Sequence, residues 1–343
     1  MEGIDYRVEV LGRVDLDSND VISKERNEKI GLFTVKRASK WIEEAKMRPI
    51  PKMLFGEFWF EGELCILFAD TNLGKSILAV QIGNSISKSK AIPPFNLDAP
   101  KQTILYFDFE LSTKQFENRY SKEYSEHYDF DNNFIRIEID SDIEIPDGQD
   151  FEGFLCDSLE NSITSTNAKI IIIDNITFLR NGNESAKDAL PLMKQLKALK
   201  SKYGLSILVL GHTPKRDLSK PLTINDIAGS KMLGNFCDSA FAIGQSSFES
   251  GLRYLKQLKQ RNTEQIYDSE NVCVCQISKH ENFLEFEFLD YSDERNHLKE
   301  FKKSDREELI GEVKALSAIG KTQREIRDVL GISLGAVNKY LNI

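Results

Sequence analysis

The run Leu64-Cys-Ile-Leu-Phe-Ala-Asp-Thr-Asn-Leu-Gly-Lys-Ser76, continued by Ile77-Leu-Ala-Val-Gln-Ile-Gly-Asn-Ser-Ile-Ser87, constrains this chain more than any other stretch. An unbroken apolar segment reads as a strand buried on both faces. A polar loop follows, and Gly74-Lys75-Ser76 then opens a helical pattern. A helix that starts there turns its unpaired N–H groups and the positive end of its dipole back on the loop, which makes an anion site. The amides of Asn72 to Ser76 can curl round a triphosphate. Lys75 can reach its β- and γ-phosphates, and the Ser76 hydroxyl can complete a Mg²⁺ shell. The candidate cradle is Ala69, Asp70, Thr71, Asn72, Leu73, Gly74, Lys75, Ser76 and Ile77, with ATP and Mg²⁺ as its cofactors. The pattern G-x-x-x-x-G-K-[ST] begins here with Ala69, so its first turn must form without glycine's freedom of φ. Gly74 is where the backbone must approach phosphate closely.

A chain of 343 residues, 41% hydrophobic and 29% charged, has room for one large globular domain and one or two small ones. Its net charge of −9 argues against coating nucleic acid along its length, so any such contact must be local. Cys65, Cys156, Cys237, Cys273 and Cys275 lie mostly in apolar runs, and none is paired as C-x-x-C. They read as reduced, buried thiols of a cytoplasmic protein. No signal peptide or apolar run of membrane length is legible, so no membrane partner is expected.

Residues 1–48 are polar and mixed in charge, with a helix at Ala38–Lys46, and read as an N-terminal arm or docking segment. The stretch 55–62 is a strand and turn in which Trp59 and Phe60 either brace a base or pack in the core. β-like runs at 103–112, 134–139, 169–174 and 205–212 alternate with helical patterns at 113–127, 151–165 and 185–203. That alternation predicts an α/β fold, a mostly parallel sheet flanked by helices. Segments 239–243, 252–258, 272–277 and 283–288 then read as late strands at hairpin spacing. The predicted domains are the arm, an α/β core over 49–290, a linker over 291–304 and a small all-α tail over 305–343.

Four isoleucines ending in Asp174 form a strand whose carboxylate can sit near Ser76 and hold Mg²⁺ through water. Asn175 follows it, where many nucleotide hydrolases carry glutamate. Glu110, at the end of the second strand (the run 103–112), is the candidate that orients an attacking water, with Asp108 as its competitor by alternation.

Phe107-Asp-Phe-Glu-Leu-Ser112, Asp174 with Arg180-Asn-Gly-Asn-Glu-Ser185, Gly211-His-Thr-Pro-Lys215, Gly229-Ser230, Asn235-Phe-Cys-Asp238 and Lys259-Gln-Arg261-Asn262 follow one another in an order that resembles the RecA/DnaB group of P-loop ATPases. Within that group the chain looks especially like the RepA-like ring helicases of plasmids and mobile elements (an AAA_25-type arrangement), over residues 50–290. The resemblance implies a RecA-like core with His212 as a γ-phosphate sensor. It places Lys215, Arg216 and Lys220, in the loop Thr213–Ala228, at single-stranded DNA in a central channel. It also makes Lys259 and Arg261, two apart on a strand, a finger pair for the neighbouring subunit's phosphate. The family's second His in the His-Thr-Pro-Lys region is absent here.

The tail reads as a helix-turn-helix. Leu309, Ile310, Val313 and Leu316 space a first helix, Thr322-Gln-Arg-Glu325 is a capping box, and Ser333 caps a last helix over 334–341. Ile326, Val329, Leu330, Val337 and Leu341 are its expected core, while Ser333, Asn338 and Lys339 are candidates to face duplex DNA. Its opening resembles resolvase-type segments. Eight Lys/Arg against six Asp/Glu from Phe301 onward give it +2, and the remainder carries −11. A protein-docking helical domain is the other reading of this tail. The expectation for the whole chain is an oligomeric DNA-dependent ATPase, a hexamer being one such ring, that works as a replicative helicase. An ATP-switched DNA-binding regulator is the alternative, and a small-molecule kinase ranks below both.

Overall fold

Residues 28–140, 142–176, 189–214, 216–227, 231–249, 251–299, 303–330, 332 and 334–342 are described by the computed structural model. It divides into two compact units, 1–50 and 51–343. In the first, β1 (Glu28–Ile30) and β2 (Phe33–Val35) pair antiparallel, and α1 (Ala38–Lys46) follows at its expected bounds. α1 buries none of its residues, and Ile30, Leu32, Phe33, Ile42 and Met47 are exposed.

In the second unit β3 (Met53–Phe55) and β4 (Trp59–Phe60) form a hairpin that leads into β5 (Leu64–Ala69) and α2 (Lys75–Lys88). Then come β6 (Ile104–Asp108), α3 (Thr113–Arg119), a small hairpin of β7 (Ser121–Lys122) and β8 (Glu126–His127), and β9 (Phe134–Ile137). α4 (Phe151–Thr166) precedes β10 (Ile170–Asp174), and α5 (Ala189–Tyr203) precedes β11 (Ser206–His212). After α6 (Lys231–Phe236) the chain adds β12 (Ser239–Gln245), β13 (Leu252–Lys259), β14 (Val272–His280) and β15 (Phe283–Ser292). Nine of these strands form one sheet in the order β15-β14-β13-β12-β5-β11-β10-β6-β9. From β12 to β9 neighbours run parallel, and β13 to β15 are antiparallel.

Alternation assigns the two faces. Cys65, Leu67 and Ala69 of β5 join Ile170 and Ile172 of β10 under α2. Leu64, Ile66 and Phe68 join Ile171 and Ile173 under α4 and α5. Burial on both faces is why these strands are apolar without interruption. Trp59 lies in the first of these cores and is fully buried, which removes its reading as a brace for a base; Phe60 is 8% exposed.

Two expectations change here. α3 ends at Arg119 rather than near residue 127, because Phe116 and Tyr120 turn into a ring cluster with Phe130, and Glu123 and Tyr124 take left-handed φ of 51° and 57°. The stretch expected as a linker starts as the end of β15 and continues as a 3-10 turn, Glu294–His297, with Glu294 and His297 buried. A carboxylate in a charged run looks solvated in sequence, but its cation, Lys256, is supplied from β13.

Three helices close the chain: α7 (Lys303–Ala318), α8 (Gln323–Leu330) and α9 (Leu334–Leu341), packed on Val313, Ile326 and Val337. The capping box forms as expected, with Thr322 N–H donating to Glu325 at 2.8 Å and Glu325 N–H to Thr322 Oγ1 at 3.3 Å. Val329 is a correction: expected in the core, it is 59% exposed. Among the described residues no helix is long and apolar enough to cross a membrane. All five cysteines are free thiols, and burial pushes those of Cys156 and Cys237 up to about 11.

Candidate nucleotide site

The strand order sets the C-terminal ends of β5, β11, β10 and β6 side by side, the edge where open α/β sheets bind ligands. His212 pairs in register with Ala69, and Asp174 with Asp108. The loop after β5 resolves the missing glycine. Ala69 stays in the strand, and the left-handed turns fall on Asn72 (φ 63°) and Gly74 (φ 96°). A Cβ on Gly74 would also lie 2.5 Å from Ile277 Cδ1 and 2.9 Å from Phe286 Cε2. Gly74 is therefore required by its own conformation and by the late hairpin packed on it. Leu73 and Ile77 send their side chains into the core, so only their main chain can serve the cradle.

Lys75 opens α2 and donates to Ala69 O at 3.1 Å and Asp70 O at 3.2 Å. Burial lowers its pKa, offset by Glu110 and Asp174. Its ammonium also lies 3.2 Å from His212 Nδ1. An ammonium has no acceptor, so Nδ1 accepts and the ring proton sits on Nε2, 3.3 Å from Glu110 Oε1. The Asn175 amide donates to the same oxygen and lies 3.1 Å from His212 Nε2. Lys75, His212, Glu110 and Asn175 are thus one connected chain. The His212 hydrogen bond and the nearby Lys75 charge hold the Glu110 carboxyl below its usual range.

Asp108, the competitor, is committed elsewhere. Its carboxylate pairs with Arg136 at 2.8 Å and accepts the Glu110 and Leu111 amides at 3.2 and 3.0 Å. It shapes the bend that presents Glu110. Asp174 is fully buried and accepts from Tyr106 OH at 2.7 Å through Oδ2, while Oδ1 has no partner. Burial pushes its pKa up to about 6, partly offset by the Ser76 and Tyr106 hydroxyls. Thr213 Oγ1 and Arg119 Nη1 are likewise buried without a partner, and Arg119 is close enough to help lower the Glu110 pKa. A buried acceptor and a buried guanidinium N–H that lack partners are what a metal ion and a phosphate oxygen would satisfy. With the glycine-shaped loop, these residues fit a Mg²⁺–nucleotide.

The other candidates lie apart from this chain. Lys259 ends β13 and donates to Gly234 O and Cys237 O, both at 2.7 Å. Arg261 is not on the strand as expected but beyond its end, 3.0 Å from Asp238 and half-exposed. Arg216 donates to Lys220 O, and Lys220 sits 3.6 Å from Asp217. Asn338 and Lys339 are exposed on α9. Lys215, Ser333, the 180–185 run and Gly229-Ser230 fall outside the described residues. Sequence reading missed three residues around the site: Asn175 beside Glu110 and His212, Arg119 near Glu110, and Arg253, whose Nε donates to Leu73 O at 3.1 Å. The position after a strand-end Asp pointed to Asn175; Arg253 had no local signal.

A parallel sheet with a Gly-Lys-Ser loop on one strand and a buried Asp ending another defines a nucleotide-hydrolysing P-loop ATPase. Within that class the chain belongs to the AAA_25 family of AAA domains, which matches residues 34–217, more than half of its length. The match ends just past β11, so β12–β15 and the three C-terminal helices lie beyond it. No curated protein matches the chain.

Proposed function

We propose that the protein is an oligomeric, DNA-dependent ATPase that moves on single-stranded DNA, a RepA-like replicative helicase of a mobile element or phage. The observation that carries this reading is the Lys75–His212–Glu110 chain, because the segment Thr213–Ala228 follows His212 directly. Lys75 and the amides of Asn72 to Ser76 hold the phosphates, and Ser76 and Asp174 hold Mg²⁺. When bound, Mg²⁺–ATP supplies the phosphoryl group that is transferred to water. Glu110, ionised by its contacts with His212 and Lys75, aligns that water and takes up its proton. His212 touches both Lys75 and Glu110, so a change at the phosphate reaches the strand end that leads into the basic segment. Arg261, with Lys259 behind it, serves the neighbouring subunit's site, which makes turnover depend on assembly. The three C-terminal helices act as a helix-turn-helix, presenting Ser333, Asn338 and Lys339 to duplex DNA.

A second reading is an ATP-switched DNA-binding regulator without strand separation. The local engagement of Arg216 with Lys220 O and of Lys220 with Asp217 favours it, because it occupies donors that would otherwise meet phosphates. Hydrolysis measured with and without single-stranded DNA, beside unwinding of a forked duplex, decides between them. Stimulation with unwinding supports the helicase, and duplex binding without unwinding supports the regulator. No Mg²⁺-dependent hydrolysis under either condition removes both.

A further inference from the structure

The segment that follows His212 is held at both of its ends. Thr213 N–H donates to Ala69 O at 3.1 Å, at the root of the phosphate loop. At the far end, both peptide groups of Leu222 finish on a single buried ion pair. Leu222 N–H donates to Glu294 Oε1 at 2.7 Å, and Lys256 Nζ donates to Leu222 O at 2.8 Å. The two charges are 2.5 Å apart and 5% and 0% exposed, and Tyr254 OH adds a bond to Glu294 Oε1 at 3.1 Å.

The pair faces the other way too. Glu294 opens the 3-10 turn, and Lys299 N–H just after it donates back to Leu218 O at 3.0 Å. His297, on the same turn, meets Ser246 Oγ at 2.9 Å through Nδ1 and accepts Ser247 N–H at 2.8 Å through its carbonyl. The turn leads on to α7. A buried ion pair contributes little stability that a well-packed apolar pair could not match. An apolar pair, however, cannot accept Leu222 N–H and donate to Leu222 O at once. What this pair adds is a polar grip on both peptide groups of one residue, Leu222, in the segment behind the sensor.

We propose that Lys256 and Glu294 are positioning residues that transmit the state of the nucleotide site, through segment 213–222, to the turn 294–299. The inference deepens the proposed function, since on that reading segment 213–222 faces DNA, but its test does not use DNA. In the full chain, amide hydrogen exchange is measured with and without a non-hydrolysable ATP analogue and Mg²⁺. In the wild type, the analogue slows exchange in both 213–222 and 294–299, by about fivefold or more. In Lys256→Met/Glu294→Leu, nucleotide affinity stays within about twofold of the wild type, 213–222 still responds, and 294–299 no longer does. A turn that still responds in the double variant, or that never responds in the wild type, overturns the proposal. Should the double variant fail to fold, Glu294→Gln keeps an acceptor for Leu222 but removes the ion pair. A partial loss of response is expected there, and an unchanged one also overturns it. A wild type that ignores DNA sinks the proposed function alone, because this exchange pattern is read without it.

Discussion

Asp174→Asn asks whether the nucleotide site is built at the expense of the fold. Asp174 is fully buried, its Oδ1 lacks a partner, and its pKa is pushed from 3.8 to about 6. Between those values the folded chain holds a proton that the unfolded chain has released. Wild-type stability therefore falls as pH rises through that window, and the deficit is complete above about 6. The rise from 3.8 to about 6, at about 1.4 kcal/mol for each tenfold change in proton affinity, makes that deficit about 3 kcal/mol. Asparagine keeps an acceptor for Tyr106 OH but leaves its amide N–H groups unpaired where Oδ1 was, at a cost of about 1–2 kcal/mol. The variant should therefore be more stable than the wild type by about 1–2 kcal/mol at pH 8. At about pH 4, where both folded chains carry a neutral side chain, that advantage should be gone. Urea unfolding at the two pH values, without Mg²⁺ or nucleotide, measures it. A variant no more stable at pH 8, or an advantage independent of pH, refutes the reasoning.

Gly74→Ala should destabilise the chain by about 2–4 kcal/mol, from a left-handed φ and a methyl forced against Ile277. Adding Ile277→Ala should recover only the contact part in urea unfolding, and full recovery would mean that φ costs nothing. Arg261→Ala and Lys75→Ala should each be inactive alone, yet mixing them should restore hydrolysis at junctions where an intact loop meets an intact Arg261. Mixtures no more active than their parts would mean that Arg261 serves only its own chain, through Asp238.

Much of the fold was legible because burial on both faces leaves a plain signature. Ile170–Ile173 and Leu64–Phe68 could be read as central strands without knowing their neighbours. Asp174 and His212 could be placed because each ends such a strand at the edge that carries the Gly-Lys-Ser loop, and Glu110 because it lies two residues past the end of another, β6. What stayed hidden depends on distant partners. Glu294 read as solvated because its cation lies on β13, and Arg261 read as a strand residue because nothing local marks the end of β13 at Lys259. The end of α3 at Arg119 was obscured because the rings it turns into arrive from residues that follow. Asn175 was noted only for what it was not, and its contact with Glu110 appears once β6 and β10 are seen to be neighbours.

The wall behind the phosphate loop is completed late. Gln81 of α2 clasps the main chain of Phe286, accepting its N–H at 2.9 Å and donating to its carbonyl at 3.0 Å, across 205 residues of chain. A ribosome making about 5–20 residues per second delivers that strand some 10–40 s after the helix. Through that interval a nascent chain carries the Gly-Lys-Ser signature without the surface that seats it. Its ability to grip nucleotide is thus timed by the last strands of the sheet to be synthesised, not by the motif itself.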